Sequence, residues 1–160
     1  MSDSQYFQDH MPENVCFGCG HNHDGLQIKS FWDGEEAVCQ WTSKEMYHGW
    51  SQLMNGGVMA TLIDCHCMGT AMADAYKREG RELNSEPEYR YATGTLSVKY
   101  LKPTPNTEVE LRARVVEVNG KKTVMKCDFY SEKGEKTAEA DIVAIRVFDS
   151  SDGKETVFKS

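Results

Sequence analysis

The sequence predicts an α+β fold in which one long helix sits among antiparallel strands. Three observations predict it. Residues 55–79 form an unbroken helix-compatible stretch that is apolar on most faces. Two short strand-like runs precede that stretch and four follow it. Asp33-Gly34, Asn119-Gly120 and Lys133-Gly134 fall between consecutive runs, where such pairs mark tight hairpins.

Taken in order, residues 1–25 read as a loop segment punctuated by Pro12, Gly18, Gly20 and Gly25. Leu26–Trp32 and Glu36–Thr42 are the first two strands, and Tyr47–Gln52 is a loop. Asn55 is a good N-cap, Gly56-Gly57 opens the first turn, and Gly80 is a natural stop. Between them, Val58, Leu62, Ile63, Met68 and Met72 spread around the helix, which marks it as buried. Met54, Met59 and Trp50 read by default as core filling, with the lining of an acyl tunnel as the alternative. Residues 80–92 are polar, contain Pro87, and read as a loop.

The last four strands are Gly94–Lys102, Thr107–Val118, Lys121–Tyr130 and Lys136–Phe148. Val109, Leu111, Ala113 and Val115 alternate with Glu108, Glu110, Arg112 and Arg114, the period-2 pattern of a half-buried strand. The two tight turns make the final three strands an antiparallel meander, and residues 149–160 read as a flexible tail. A helix apolar nearly all round needs more cover than one flat sheet gives. The sheet must curl around it, or a second subunit must close over it.

Bulk properties narrow the function. A chain of 160 residues suits a single domain spanning 1–160. Eighteen basic residues against twenty-five acidic ones give a net charge of −7, which argues against broad contact with nucleic acid or an anionic membrane. No apolar run approaches the roughly 20 residues that cross a bilayer, and the polar N-terminus is no signal peptide. Six cysteines, two of them inside the helix, fit a reduced, cytoplasmic protein rather than a disulfide scaffold.

Two features carry chemistry. From Met46 through Ala73 the only formally charged side chain is Asp64. Burial would make such a carboxylate more basic, which suits a general base or nucleophile. The plainer reading is an Asp held by a hydroxyl or reaching solvent. The other feature is Asn55-Gly56-Gly57. First-turn N–H groups carry partial positive charge, and glycines let a ligand approach them, so such an end can polarise a carbonyl. The plainer reading is a simple turn into a helix.

Gly56 and Asp64 are eight residues apart, about 12 Å along one helix. Both can act on one carbonyl only if two copies of the helix run antiparallel. That arrangement makes a two-fold dimer with composite sites.

The run Asn55-Gly-Gly-Val-Met-Ala-Thr-Leu-Ile-Asp64-Cys-His resembles the helix signature of the hotdog thioesterases, in particular the PaaI-like branch. Tyr91 through Pro105 resembles the strand that follows it, and Cys16-Phe-Gly-Cys-Gly20 with Gly25-Leu26 resembles the N-terminal segment. The similarity covers about residues 14–148. It implies a central helix wrapped by a curved antiparallel sheet of about six strands, in homodimers or dimers of dimers. It also implies hydrolysis of an acyl-CoA thioester without metal or organic cofactor. By the same resemblance, Asp64 is the catalytic carboxylate, Gly56 the N–H donor to the thioester carbonyl, and Thr93 a hydroxyl that orients water. Gly57 lies beside the bound thioester, and His48 and Gln52 are candidates for a polar group near the carboxylate. Asn55 stands where the family commonly has His; it can cap the helix and donate, but it cannot titrate.

Rival readings are a hotdog hydratase or dehydratase, which Asn55 weakens, and a non-catalytic acyl-CoA-binding domain, which would not need Asp64. Cys16, Cys19, His21 and His23 form a valid zinc ligand set, but they lack the long gap of a finger. A glycine-rich turn is the simpler reading, so no metal is expected. Cys65, Cys67 and Cys127 read as small core residues. Lys77, Arg78, Arg81 and Arg90 could meet the phosphates of CoA, although a solvated basic loop is the commoner case.

Overall fold

A computed structural model describes residues 4–157. Its helix, α1 (Gly56–Arg78), lies against a six-stranded antiparallel sheet. In chain order the strands are β1 (Ser30–Asp33), β2 (Glu36–Thr42), β5 (Tyr89–Tyr100), β6 (Glu108–Asn119), β7 (Lys122–Tyr130) and β8 (Lys136–Asp149). A separate two-stranded hairpin, β3 (His48–Trp50) with β4 (Leu53–Met54), leads into the helix. The sheet runs β1-β2-β6-β7-β8-β5, so the long strand after the helix closes one edge.

The helix forms where its signals lie. The Asn55 side chain accepts a hydrogen bond from Val58 N at 3.0 Å, as an N-cap does. The final three strands form the expected meander, and Gly120 makes its first turn with φ +60°. Val109, Leu111 and Ala113 are buried on the side facing α1, while Val115 is only half-buried. Ala138, Ala140 and Ala144 on β8 join them, so small side chains let the helix lie close. From the helix, Met59, Leu62, Ile63, Cys67 and Ala71 complete this core. The result is the expected α+β arrangement, one long helix packed against a six-stranded antiparallel sheet.

Five segments depart from expectation. Leu26 and Ile28 are buried but lie outside β1, because their N–H groups bond to Phe17 O and Gly18 O rather than to a strand. Residues 47–52 are not simply a loop, since most belong to the β3–β4 hairpin and its approach. The polar stretch before Gly94 is not all loop: Tyr89, Arg90 and Tyr91 pair with Asp149, Phe148 and Arg146. Aromatic packing holds them, with the Tyr76 and Tyr89 ring centroids 5.5 Å apart. That pairing also orders the start of the expected tail, where Ser150 N bonds to Glu88 O at 3.0 Å. The end of that tail, 158–160, lies outside the described residues.

The N-terminal segment is not a plain loop either. Phe7–His10 is a short 3-10 turn, and Phe7 packs in a second cluster with Met72, Ala73 and Tyr76. A buried polar chain anchors it. Gln8 donates to Ser30 Oγ at 3.0 Å, and Ser30 Oγ meets His66 Nδ1 at 2.7 Å. His66 Nε2 lies 3.0 Å from Ala37 O, and a carbonyl only accepts, so Nε2 carries the proton. Nδ1 then accepts from Ser30. The imidazole is fully buried, and that burial pushes its pKa down to about 4.

Candidate active site

Asp64 lies two turns into α1 and is half-buried, so of the two readings of the sequence it is the carboxylate that reaches solvent and is held by a hydroxyl. Its partner is a hydroxyl: Thr93 Oγ1 donates a hydrogen bond to Asp64 Oδ1. Thr93 is aimed there by an irregularity in β5. Thr93 pairs with Ala144 and Thr95 with Val143, which leaves Gly94 between them without a counterpart. Such a bulge bends a strand and re-aims the adjacent side chain. The backbone passes so close to β8 that a Cβ on Gly94 would lie 3.0 Å from Ile145 Cγ1 and 3.1 Å from Val143 O.

The second candidate feature is the start of α1. Asn55, Gly56 and Gly57 are exposed, and the Asn55 cap takes up the N–H of Val58, not those of the two glycines. The Tyr100 hydroxyl donates to Gly56 O at 2.6 Å, so β5 touches the helix here as it does at Asp64. Partial burial pushes the pKa of that phenol up, which keeps it a donor. Around this end lies a groove of about 480 Å³, lined by Trp50, Asn55, Gly56, Met59, Tyr100 and Leu101 among others. Trp50 is 78 % exposed, so it forms part of this rim and not of the core. Tyr100 was visible in the sequence only as a strand residue. Nothing in its spacing tied it to Gly56, 44 residues earlier.

The structure thus brings Asp64 together with Thr93, and Asn55 and Gly56 together with a groove. It does not bring these two sets together, since about 12 Å of helix separates Gly56 from Asp64. His48 is half-buried in β3 opposite Met54, and Gln52 is exposed, with its carbonyl accepting from Asn106 N at 3.3 Å. Neither lines the groove, and among the described residues no hydrogen bond joins either to Asp64.

The four basic residues near the helix end are engaged within the chain. Arg78 bonds Asp74 at 2.7 Å, Arg81 bonds the Ser85 carbonyl at 2.9 Å, Arg90 pairs with Glu13, and Lys77 sits 4.5 Å above the Trp32 ring. That makes them structural side chains rather than a free phosphate cradle.

All six cysteines are free thiols. Cys67 and Cys127 are core residues as expected, but Cys65 is only half-buried and turns toward the N-terminal CxxC. The Cys65 thiol hydrogen-bonds Cys16 and holds it down, at about 5, while both N-terminal sulfurs push Cys65 upward.

The sequence profile of the thioesterase superfamily matches residues 52–138, which span α1, β5, β6, β7 and the start of β8. No protein of curated function matches the chain. Among solved structures, a thioesterase superfamily protein from Shewanella loihica is 27 % identical with a TM-score of 0.62, over 84 % of this chain and 96 % of that one. The Escherichia coli PaaI protein from the phenylacetic acid degradation operon is 13 % identical with a TM-score of 0.66, over 91 % and 98 %. A Bacillus halodurans protein solved with CoA is 18 % identical with a TM-score of 0.61, over 78 % and 74 %. Among the described residues, no helix is long and apolar enough to cross a membrane. With more than half of its length under the family profile, the chain belongs to the thioesterase superfamily and has the hotdog fold of its PaaI-like members.

Proposed function

We propose that this protein hydrolyses an acyl-CoA thioester to the free acid and CoA. The observation that carries this reading is the Asp64–Thr93 pair, a solvent-reachable carboxylate fixed by a hydroxyl on the helix of a thioesterase-superfamily chain. A thioester carbonyl is electrophilic and its thiolate leaves readily. A carboxylate to activate water, or to attack directly, and an oxyanion donor suffice. Asp64 takes the first role. The exposed N–H of Gly56, at the positive end of α1, takes the second.

Because these two lie at separate points of one helix, each site takes Asp64 from one subunit and Gly56 from its partner. The geometry of β5 supports such a dimer. It is a twelve-residue edge strand, paired with β8 on one side only, and long open edges invite pairing with another copy. The groove beside Gly56, with Trp50 and Tyr100 on its rim, receives the thioester end of the substrate. Gly57 lies next to it, and His48 and Gln52 sit on the adjoining hairpin, outside the groove lining. The solved relatives that contain CoA favour CoA as the thiol carrier. No residue of this site requires a cofactor for the reaction.

The test is thiol release from a panel of acyl-CoAs by the wild type and by Asp64→Asn. Turnover by the wild type that collapses by roughly 10³-fold or more in a folded Asp64→Asn is the expected result. Equal turnover in both would remove Asp64 from the chemistry. Binding of acyl-CoA without turnover of any would turn the reading to the non-catalytic domain.

A further inference from the structure

The N-terminal CxxC and the residue beside the candidate catalytic Asp come together in space. Cys16, Cys19 and Cys65 place their sulfurs within 4.8 Å of one another, with Cys16 Sγ and Cys65 Sγ 3.8 Å apart. A tetrahedral ion with zinc–sulfur bonds of about 2.3 Å separates its thiolates by about 3.8 Å. The surroundings suit thiolates as well. Gly18 N–H points at Cys16 Sγ and Asn14 Nδ2 at Cys19 Sγ, each at 3.3 Å. Outer N–H donors of this kind orient ligand sulfurs at metal sites.

The loop is shaped for this approach. A Cβ on Gly18 would stand 2.5 Å from Cys65 Sγ, and one on Gly20 would stand 2.4 Å from Cys16 N. Only glycines let the CxxC turn close on the helix.

We propose that Cys16, Cys19 and Cys65 form a zinc site that clamps the N-terminal segment onto α1, one residue from Asp64. The donors are three sulfurs with no carboxylate or imidazole among them, which selects a thiophilic ion over calcium or magnesium. His21 and His23, the ligands suggested by linear spacing, are both exposed and stand outside the cluster. All three cysteines are half-buried, so a water can fill the fourth position. Binding releases the thiol protons to solvent and leaves the sulfurs as thiolates. This site is independent of the hydrolase reading, and its test uses no substrate.

The experiment titrates the reduced, metal-stripped, full-length protein with Co²⁺ and follows sulfur-to-cobalt charge-transfer absorption, then adds Zn²⁺. Saturation at about one ion per chain, with the colour bleached by zinc, is the expected result. Cys16→Ser and Cys65→Ser should each weaken uptake by roughly a hundredfold or more, while His21→Ala with His23→Ala leaves it intact. A reduced wild type that shows no charge-transfer band overturns the proposal before any variant is needed. So does undiminished uptake in Cys65→Ser.

Discussion

Three residues define what single positions do here. Thr93 presents its hydroxyl to Asp64, so Thr93→Val keeps the shape but removes the donor. We expect kcat for thiol release to fall roughly tenfold or more with KM little changed; an unaltered kcat would reduce Thr93 to a structural neighbour. Gly56 tests the oxyanion role. A Cβ there would meet the Tyr100 ring at 3.6 Å, an ordinary contact, so Gly56→Ala should fold and melt like the wild type. It should still lose roughly a hundredfold in kcat/KM, because the methyl holds the carbonyl off the N–H. Full activity in that variant would place the carbonyl elsewhere. His66 governs stability instead. The folded state holds its pKa at about 4 against 6.5 for the free side chain, so the unfolded chain takes up the proton first as pH falls. Stability from this group is intact above about 6.5. It is lost as pH drops from there through about 4, to a total of roughly 3 kcal/mol. Urea denaturation between pH 7 and pH 4 should show a steeper loss in the wild type than in His66→Gln, and parallel curves would contradict it. Asp64 was legible in the sequence because a lone charge in an apolar helix stands out. The role of His66 was not, since its partners Ser30 and Ala37 are 36 and 29 residues away.

At the scale of elements, what was legible followed local physics. The helix carried its own cap and stop, and the meander carried its turns, so both stand close to where they were predicted. What escaped depended on partners distant in sequence. Tyr89–Tyr91 look like loop because their neighbours are polar, yet β8 and the Tyr76 ring hold them in a strand. Cys65 reads as core from its helical position and turns out to face a loop 49 residues earlier. The bulge at Gly94 was equally hidden, because a glycine in a strand does not announce which side chain it redirects. Its consequence is testable. Gly94→Ala forces a methyl to 3.0 Å from Ile145 and 3.1 Å from the Val143 carbonyl, so β5 must shift against β8. Overpacking of this kind destabilises by roughly 1–3 kcal/mol. Since Thr93 is the residue the bulge aims, kcat should fall by at least as much as in Thr93→Val. A variant that loses stability in denaturant but keeps full kcat would show that Thr93 does not depend on the bulge.

For the whole molecule, the proposed reaction requires each chain to carry two half-sites. Asp64 with Thr93 lies part way along α1, and Gly56 with its groove lies at the start. A two-fold axis that sets two such helices antiparallel brings the first half of each chain to the second half of the other. The open edge of β5 gives the sheets a way to join in the same operation. This makes a sharp prediction for mixed subunits. Homodimers of Asp64→Asn and of Gly56→Ala should each be nearly inactive, because every composite site has lost one member. A hybrid of the two chains contains one site with both defects and one with neither. Co-expression with two different tags, followed by tandem purification, should therefore yield a hybrid with about half the wild-type kcat per dimer. If each site instead draws Asp64 and Gly56 from the same chain, every site in the hybrid carries one defect. The hybrid would then be no more active than either parent. The recovered activity, or its absence, thus reports directly on which subunit polarises the carbonyl that Asp64 serves.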